Sequence, residues 1–395
     1  MAKIGIFGGS FNPPHLGHML AAREFQRKLG LDLVLLVPSA QPPHKQLTSN
    51  SPDVRARLKM TCLMAQELPF TQVSDLECRR TGASYTADTV AQLRALYPND
   101  ELFLLMGTDM FYSFDNWYRP EDIAREVNLV VANRSQEEKQ RLLDHAEVLH
   151  QKYCAQSQLL ENDFLPYSST TVRTMIAFDC AQEYLSDAVA QYIREQKLYY
   201  SGADLKELPF EKLSNVSLSL HLPKRVPHVV GCSQTAVELA RRYGENETDA
   251  KRAGILHDIT KLLSGTEQLK LCEKYAIMIS NLERQTPKLL HAKTGAAVAK
   301  YIFGENEAVC QSIFWHTTGR AEMTTLEKII YLADYVEPNR DFSGVETLRR
   351  LAAEDLDAAM CLGLQMTLQQ LKARNLEINV NSLAALRSLQ KGNDL

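Results

Sequence analysis

The stretch Ile4-Gly5-Ile6-Phe7-Gly8-Gly9-Ser10-Phe11-Asn12-Pro13-Pro14-His15-Leu16-Gly17-His18 runs from an apolar strand pattern directly into the helical pattern Met19–Lys28. Gly8 and Gly9 permit a sharp turn and a close approach of backbone to a phosphate, and the helix start offers free N–H groups at a positive dipole end. His15 and His18, three apart at that helix start, project to one side and can donate hydrogen bonds to charge developing on a transferring phosphoryl group. Further strand-like runs follow at Leu33–Val37, Thr71–Leu76, Leu102–Met106 and Leu129–Val131, with amphipathic helices between them. Ser51-Pro52 before a 54–67 pattern, and Thr86 before Ala87–Leu96, supply helix-start signals. Strand and helix in alternation imply right-handed crossovers and a mainly parallel, doubly wound α/β sheet that binds ligands at the carboxyl ends of its strands.

Beyond Ser201-Gly202 no alternating strand pattern recurs, and apolar residues fall at helical spacing through Leu389, so the second half is expected to be all-helical. Residues 203–221, polar and without strong periodicity, are read as a linker between a domain at 1–202 and one at 222–395. A chain of 395 residues, 45% hydrophobic and 23% charged, is long enough for two such cores and excludes a disordered or fibrous protein. Its formal charge of −4 provides no global positive field for a nucleic acid, so anionic substrates must be held by local groups. No apolar run approaches the 18 or more residues of a membrane span, and the N-terminus carries no secretory pattern. Eight widely spaced cysteines without a C-x-x-C pair read as reduced thiols, giving the expectation of a soluble, cytoplasmic protein.

The opening motif resembles that of the nucleotidyltransferase superfamily, in the form found in bacterial nicotinate-nucleotide adenylyltransferases. Further matches follow in register over about residues 1–200: Pro42-Pro43-His44-Lys45, Ser84-Tyr85-Thr86-Ala87-Asp88-Thr89, Met106-Gly107-Thr108-Asp109 with Trp117, and Ser168-Ser169-Thr170-Thr171-Val172-Arg173. The resemblance implies a Rossmann-like domain in which ATP lies between the His15/His18 helix and the helix opened by Ser169. Gly8, Gly9, Ser10, Phe11, Ser168, Ser169, Thr170 and Arg173 would bind the nucleotide, and His15, His18, Lys45 and Arg173, with Mg2+, would neutralise the transferring phosphate. Thr86, Asp109, Trp117 and Arg134 would hold nicotinate mononucleotide. Its phosphate, already anionic, needs no general base to attack the α-phosphorus of ATP. Val130-Val131-Ala132-Asn133-Arg134-Ser135 departs from the family's frequent proline and glycine after the arginine.

In the second half, His257-Asp258 follows an apolar helix, and Asp334 sits within Ile329-Ile330-Tyr331-Leu332-Ala333-Asp334-Tyr335-Val336, where an unpaired carboxylate is costly to bury. Imidazoles and carboxylates on separate helices can converge on a divalent metal. This half resembles the HD-domain phosphohydrolases. The stretches Pro287-Lys288-Leu289-Leu290-His291, His316-Thr317-Thr318-Gly319-Arg320 and Ala333-Asp334-Tyr335-Val336-Glu337-Pro338-Asn339-Arg340 are similar to the bacterial symmetrical diadenosine tetraphosphate hydrolases. That resemblance implies an all-α HD domain with one metal on His228, His257, Asp258 and Asp334 and a second on His291 and His316. Asp258 would bridge the two and act catalytically, and both metals are expected to be iron. Lys261, Arg320 and Arg340 would hold phosphates, and the products would be two ADP. His145, His150 and His221 are read as surface or linker residues.

The two halves together give a bifunctional enzyme whose ligands are ATP, nicotinate mononucleotide and diadenosine tetraphosphate, with no nucleic acid or membrane partner and room for a homo-oligomer. A second hypothesis keeps the first enzyme but makes the HD half a nucleotide sensor without turnover. A different transferred group, such as cytidylyl, or a pantetheine acceptor is a further alternative for the first half.

Overall fold

The computed structural model describes residues 1–42, 47–133, 136–161 and 167–392. The chain divides into two compact units, Met1–Gly202 and Ala203–Leu395.

In the first unit six strands form one sheet: β1 (Lys3–Gly9), β2 (Leu33–Pro38), β3 (Thr71–Val73), β4 (Glu101–Gly107), β5 (Asn128–Asn133) and β6 (Ser157–Glu161). Their order is β3-β2-β1-β4-β5-β6, and every neighbouring pair is parallel. The continuous apolar runs of β2 and β4 are buried residue after residue, as a sheet covered by helices on both faces requires. The doubly wound α/β reading is borne out. Strand order reverses between β1 and β4, which opens a crevice beyond their carboxyl ends.

Local details differ from the sequence reading. Thr71–Leu76 is not one strand: pairing stops at Val73, and Leu76 begins a short helix ending at Arg79. β6 was not foreseen, because an edge strand of sequence Ser-Gln-Leu-Leu-Glu lacks an apolar run. The helix Val54–Ala65 is capped by Asp53, whose carboxylate accepts from Ala56 N, and not by Ser51. Thr86 is the first residue of its helix, with Tyr85 at the cap position and no side-chain cap. The sharp turn expected at Gly8 and Gly9 comes later: both glycines still belong to β1, and the left-handed backbone falls on Phe11, at φ 43°. A Cβ at Gly8 would meet nothing within 4 Å, so this glycine leaves open space at the end of β1.

The second unit is helical and contains no strand among the described residues. Its principal helices are Phe210–Ser219, Val226–Tyr243, Glu247–Leu256, Gly265–Lys274, Leu290–Tyr301, Glu307–Trp315, Thr325–Val336, Val345–Glu354, Leu356–Ala373 and Val380–Gly392. The expectation of a linker at 203–221 needs correction. Phe210–Ser219 is a helix that buries Leu213 and Val216 and whose Ser217 Oγ donates to Ile255 O, so the segment belongs to the helical core. His221 is likewise buried, with Nδ1 2.8 Å from Ser217 O. No helix among the described residues is long and apolar enough to cross a membrane.

Candidate functional sites

A cavity of about 440 Å³ occupies the crevice of the first unit. The ends of β1 (Gly8, Gly9) and β4 (Met106, Gly107) form its base, and Ser84, Tyr85, Thr86, Trp117 and Tyr118 line its sides. The Tyr85 and Tyr118 rings lie 4.6 Å apart, and the Trp117 indole donates to Ser113 Oγ at 3.3 Å. Flat apolar faces beside exposed strand ends suit an aromatic heterocycle carrying an anionic group.

Next to this cavity, His15 caps the helix Leu16–Leu29, and its backbone N–H donates to His18 Nδ1 at 3.2 Å; the two rings lie 3.8 Å apart. Burial, and then the neighbouring His18, push the His15 imidazole well below its ordinary pKa, and its Nδ1 has no protein partner. A neutral imidazole keeps one N–H, which can donate to a phosphate oxygen. The helix Ser169–Ala177 starts against the same loop: Ser169 Oγ donates to Pro13 O, and Arg173 Nη1 to Asn12 O at 2.7 Å. Two helix N-termini and a buried guanidinium therefore border one segment, Asn12-Pro13.

In the second unit, five helices bring the histidines and aspartates together. His228 Nε2 lies 3.1 Å from Asp334 Oδ1 and 3.3 Å from His257 Nε2. His257 Nε2 is 3.5 Å from Asp258 Oδ2. The other oxygen of the same carboxylate, Asp258 Oδ1, is 3.4 Å from His291 Nε2 and 3.7 Å from His316 Nε2. Asp258 thus presents one oxygen to each of two imidazole pairs. Burial lowers His257 to about 4 and His291 to about 3, so both rings are neutral donors at pH 7. Burial alone would raise Asp258, but His257, His316, Lys261 and His291 around it outweigh that effect and hold it well below the usual carboxylate range. Asp334 is held low in the same way by His228, His257 and Arg340.

This donor set fits divalent cations. Ligand atoms about 2.0–2.2 Å from a shared ion lie roughly 3–3.6 Å from one another, close to the separations here. Asp258 Oδ1 and His316 Nε2 are buried without a hydrogen-bond partner, which a bound cation would supply. Among the described residues, two groups meet the geometry of a metal site, His228–His257–Asp334 and His257–Asp258–His316. Cationic side chains flank the set: Arg225 Nε donates to Asp258 Oδ2 at 2.8 Å, Lys261 Nζ to His291 Nε2 at 2.9 Å, and Arg340 Nε to Asp334 O at 2.7 Å.

Two family models match the chain, a cytidylyltransferase-like model at residues 6–175 and an HD domain at residues 225–339. The "Probable nicotinate-nucleotide adenylyltransferase" of Carboxydothermus hydrogenoformans is 36% identical over 199 residues, covering 50% of this chain and 98% of that protein. The chain belongs to the nicotinate-nucleotide adenylyltransferase family. A relative of the same description from Borrelia garinii subsp. bavariensis is 33% identical over 206 residues, covering 52% of this chain and 98% of its own. The family match thus occupies the first unit, and the HD domain lies in the second. Among solved structures, a "predicted HD superfamily hydrolase involved in NAD metabolism" from Clostridium acetobutylicum shares 34% identity over 47% of this chain and 98% of its own, with a TM-score of 0.46.

Within this adenylyltransferase-family chain, the sequence-derived residues fall as follows. Gly8, Gly9, Ser10, Thr86 and Trp117 line the cavity, while Asp109 is exposed on the first turn of the helix Thr108–Tyr112. Ser168 Oγ accepts from Thr171 N, and Thr170 Oγ1 accepts from Arg173. Phe11 is fully buried under the loop. Lys45 and Arg134 lie outside the described residues. Lys261 and Arg340 border the metal-type cluster, but Arg320 is bound through Nε and Nη2 to the buried Glu327, the salt-bridge alternative to holding a phosphate. Sequence reasoning missed Arg225 on Asp258 and Arg57, which ties the loop after β1 to the loop after β2. Arg225 stands three residues before His228 and could have been noticed from that spacing.

Proposed function

We propose that the first unit transfers the adenylyl group of ATP to nicotinate mononucleotide, forming nicotinate adenine dinucleotide and pyrophosphate in NAD biosynthesis. The observation that carries this reading is the cavity at the strand-order reversal, with aromatic walls and with Gly8, Gly9 and Ser10, the start of the loop that leads to the His15/His18 helix N-terminus, in its lining. The mononucleotide phosphate attacks the α-phosphorus, the bond to the β,γ-diphosphate breaks, and pyrophosphate leaves. Glycines at the end of β1 admit the phosphates closely, His15 and His18 offer hydrogen bonds to the transferring group, and Arg173 adds positive charge beside Asn12-Pro13. Lys45, with Mg2+ carried by the nucleotide, would complete the neutralisation. Thr86, Trp117, Asp109 and Arg134 are assigned to the pyridine nucleotide.

For the HD domain we infer metal-dependent hydrolysis of diadenosine tetraphosphate to two ADP. The two-faced placement of Asp258 between imidazole pairs supports it, since a pure sensor needs no such bridge. His228, His257, Asp258 and Asp334 would hold one cation and His291, His316 and Asp258 another, with iron as the proposed metal. When bound, such a pair supplies Lewis acidity toward phosphate oxygens and water. Lys261 and Arg340, at the border of the cluster, orient the polyphosphate and hold its negative charge.

One experiment tests both readings on the full chain. The protein is incubated with ATP and nicotinate mononucleotide, and separately, after iron loading, with diadenosine tetraphosphate; nucleotides are separated chromatographically, with Asp258→Asn as control. Nicotinate adenine dinucleotide from both proteins, and ADP alone from the unsubstituted protein only, is the expected result. ATP plus AMP would move the cleaved bond. No hydrolysis would favour the nucleotide-sensing alternative, and absence of the dinucleotide would reject the transferase reading.

A further inference from the structure

The four imidazoles of the metal-type cluster differ in what holds their far nitrogen. Nδ1 of His257, His291 and His316 each faces a backbone carbonyl three residues earlier: Gly254 O at 2.8 Å, Lys288 O at 2.6 Å and Ile313 O at 2.7 Å. His228 alone of the four faces a carboxylate, with Nδ1 3.0 Å from Glu337 Oε1 across 109 residues of sequence. Glu337 is fully buried, at 0% exposure.

The surroundings are built for that carboxylate. Asn339 donates to Glu337 Oε2 from both its backbone N and its Nδ2, each at 2.8 Å. Arg349 donates to the backbone carbonyls of Val336 and Glu337, at 2.8 Å each, and so fixes the segment that carries it. Space comes from Gly231, on the helix of His228, where a Cβ would overlap Glu337 Oε2. A buried carboxylate is costly unless its lone pairs are filled, and here every filled position aims the remaining oxygen at His228. With Nδ1 taken up by Glu337, Nε2 is the ring nitrogen that faces Asp334, His257 and Asp258.

We propose that Glu337 is a positioning residue that locks His228 as an Nε2 ligand and, by its charge, makes the cation on the His228–His257–Asp334 side more tightly held than the one on the His291–His316 side. The proposal rests on the reading of this cluster as a two-cation centre. A carboxylate behind a ligating histidine orients the ring and strengthens its donor atom, and losing such a partner lowers metal affinity on the order of 10–100-fold.

The full chain, stripped with a chelator, is titrated with Mn2+ by calorimetry and by the electron paramagnetic resonance signal of the free ion. The unsubstituted protein is expected to take up two ions. Glu337→Gln should weaken one of them on the order of 10–100-fold and leave the other unchanged. Gly231→Ala should do the same by pushing the carboxylate away, and alanine suits that helical position, so it decides the matter if Glu337→Gln does not fold. Unchanged affinities in the folded variants, or equal weakening of both ions, would overturn the proposal. An unsubstituted protein that takes up no Mn2+ would instead remove the two-cation reading itself, and the proposal with it.

Discussion

Arg57 shows how a single residue can organise the loops to which phosphate binding is assigned under the proposed function. Only 1% exposed, it donates through Nη1 to Ser10 O and Ser39 O, both at 2.7 Å, and through Nη2 to Ala40 O at 3.0 Å, tying the loop after β1 to the loop after β2. Burial lowers its pKa, yet a guanidinium stays charged and supplies positive potential under the loop. Asn12 works from the other side. Its carbonyl accepts from Arg173, its Oδ1 from the Tyr199 hydroxyl at 2.7 Å, and its Nδ2 donates to Ser51 Oγ at 2.7 Å. Arg57→Lys keeps the charge but cannot reach three carbonyls in a planar fork. At least one buried acceptor is then left unpaired, and the first unit should lose about 1–3 kcal/mol of stability. Urea unfolding of the full chain, read on that unit by the rate of dinucleotide formation after denaturant exposure, checks this. An unchanged midpoint would mean that the loops hold each other without Arg57.

At the scale of elements, Gly254 fixes the approach of the two helices that carry His228 and His257. A Cβ there would lie 2.6 Å from Ser233 Cα and 3.0 Å from Ser233 N, both backbone atoms that cannot move aside cheaply. Helix propensity alone favours alanine over glycine by about 1 kcal/mol. Gly254→Ala should nevertheless destabilise the helical unit, by about 1–3 kcal/mol through overpacking, and weaken Mn2+ uptake as the helices separate; calorimetric melting with and without Mn2+ reads both. A stabilised variant would show that the helices can part without cost. The same contrast explains what the sequence could disclose. β1, β2, β4 and β5 were legible because each centres on a run of apolar residues, as buried parallel strands do. β6 and the helix Phe210–Ser219 were not, since their sequences are polar and only packing against distant residues orders them. The imidazoles and aspartates stood out because polar groups in apolar helices require an explanation. Glu337 did not, because its role depends on a partner 109 residues away.

On the scale of the whole molecule, each unit buries a histidine outside the metal-type cluster, and both respond to acid in the same direction. His15 and His221 are 5% and 3% exposed, and each has one ring nitrogen without a hydrogen-bond partner, Nδ1 and Nε2 respectively. Burial is the leading cause that moves both below the ordinary value of 6.5; in His221 the Ser217 carbonyl and Asp258 partly oppose it. The unfolded chain takes up protons near pH 6.5, whereas the folded chain does so only at lower pH. Between those two values the unfolded state binds more protons, so stability falls as pH drops below 6.5 and is fully present above it. Each ring contributes at most about 1.4 kcal/mol per pH unit within that window. Asp258 and Asp334, held below 3.8, begin to act only as pH approaches that value, and their contribution is lost below it. Melting in a chelator should therefore move to lower temperature between pH 7 and 5.5. His221→Leu, which cannot take up a proton, should lessen that dependence for the helical unit, where His257 and His291, near 4 and 3, sustain the rest, while leaving it in the other. Identical pH dependence in the variant would show that the His221 ring takes up its proton at the same pH in the folded and the unfolded chain.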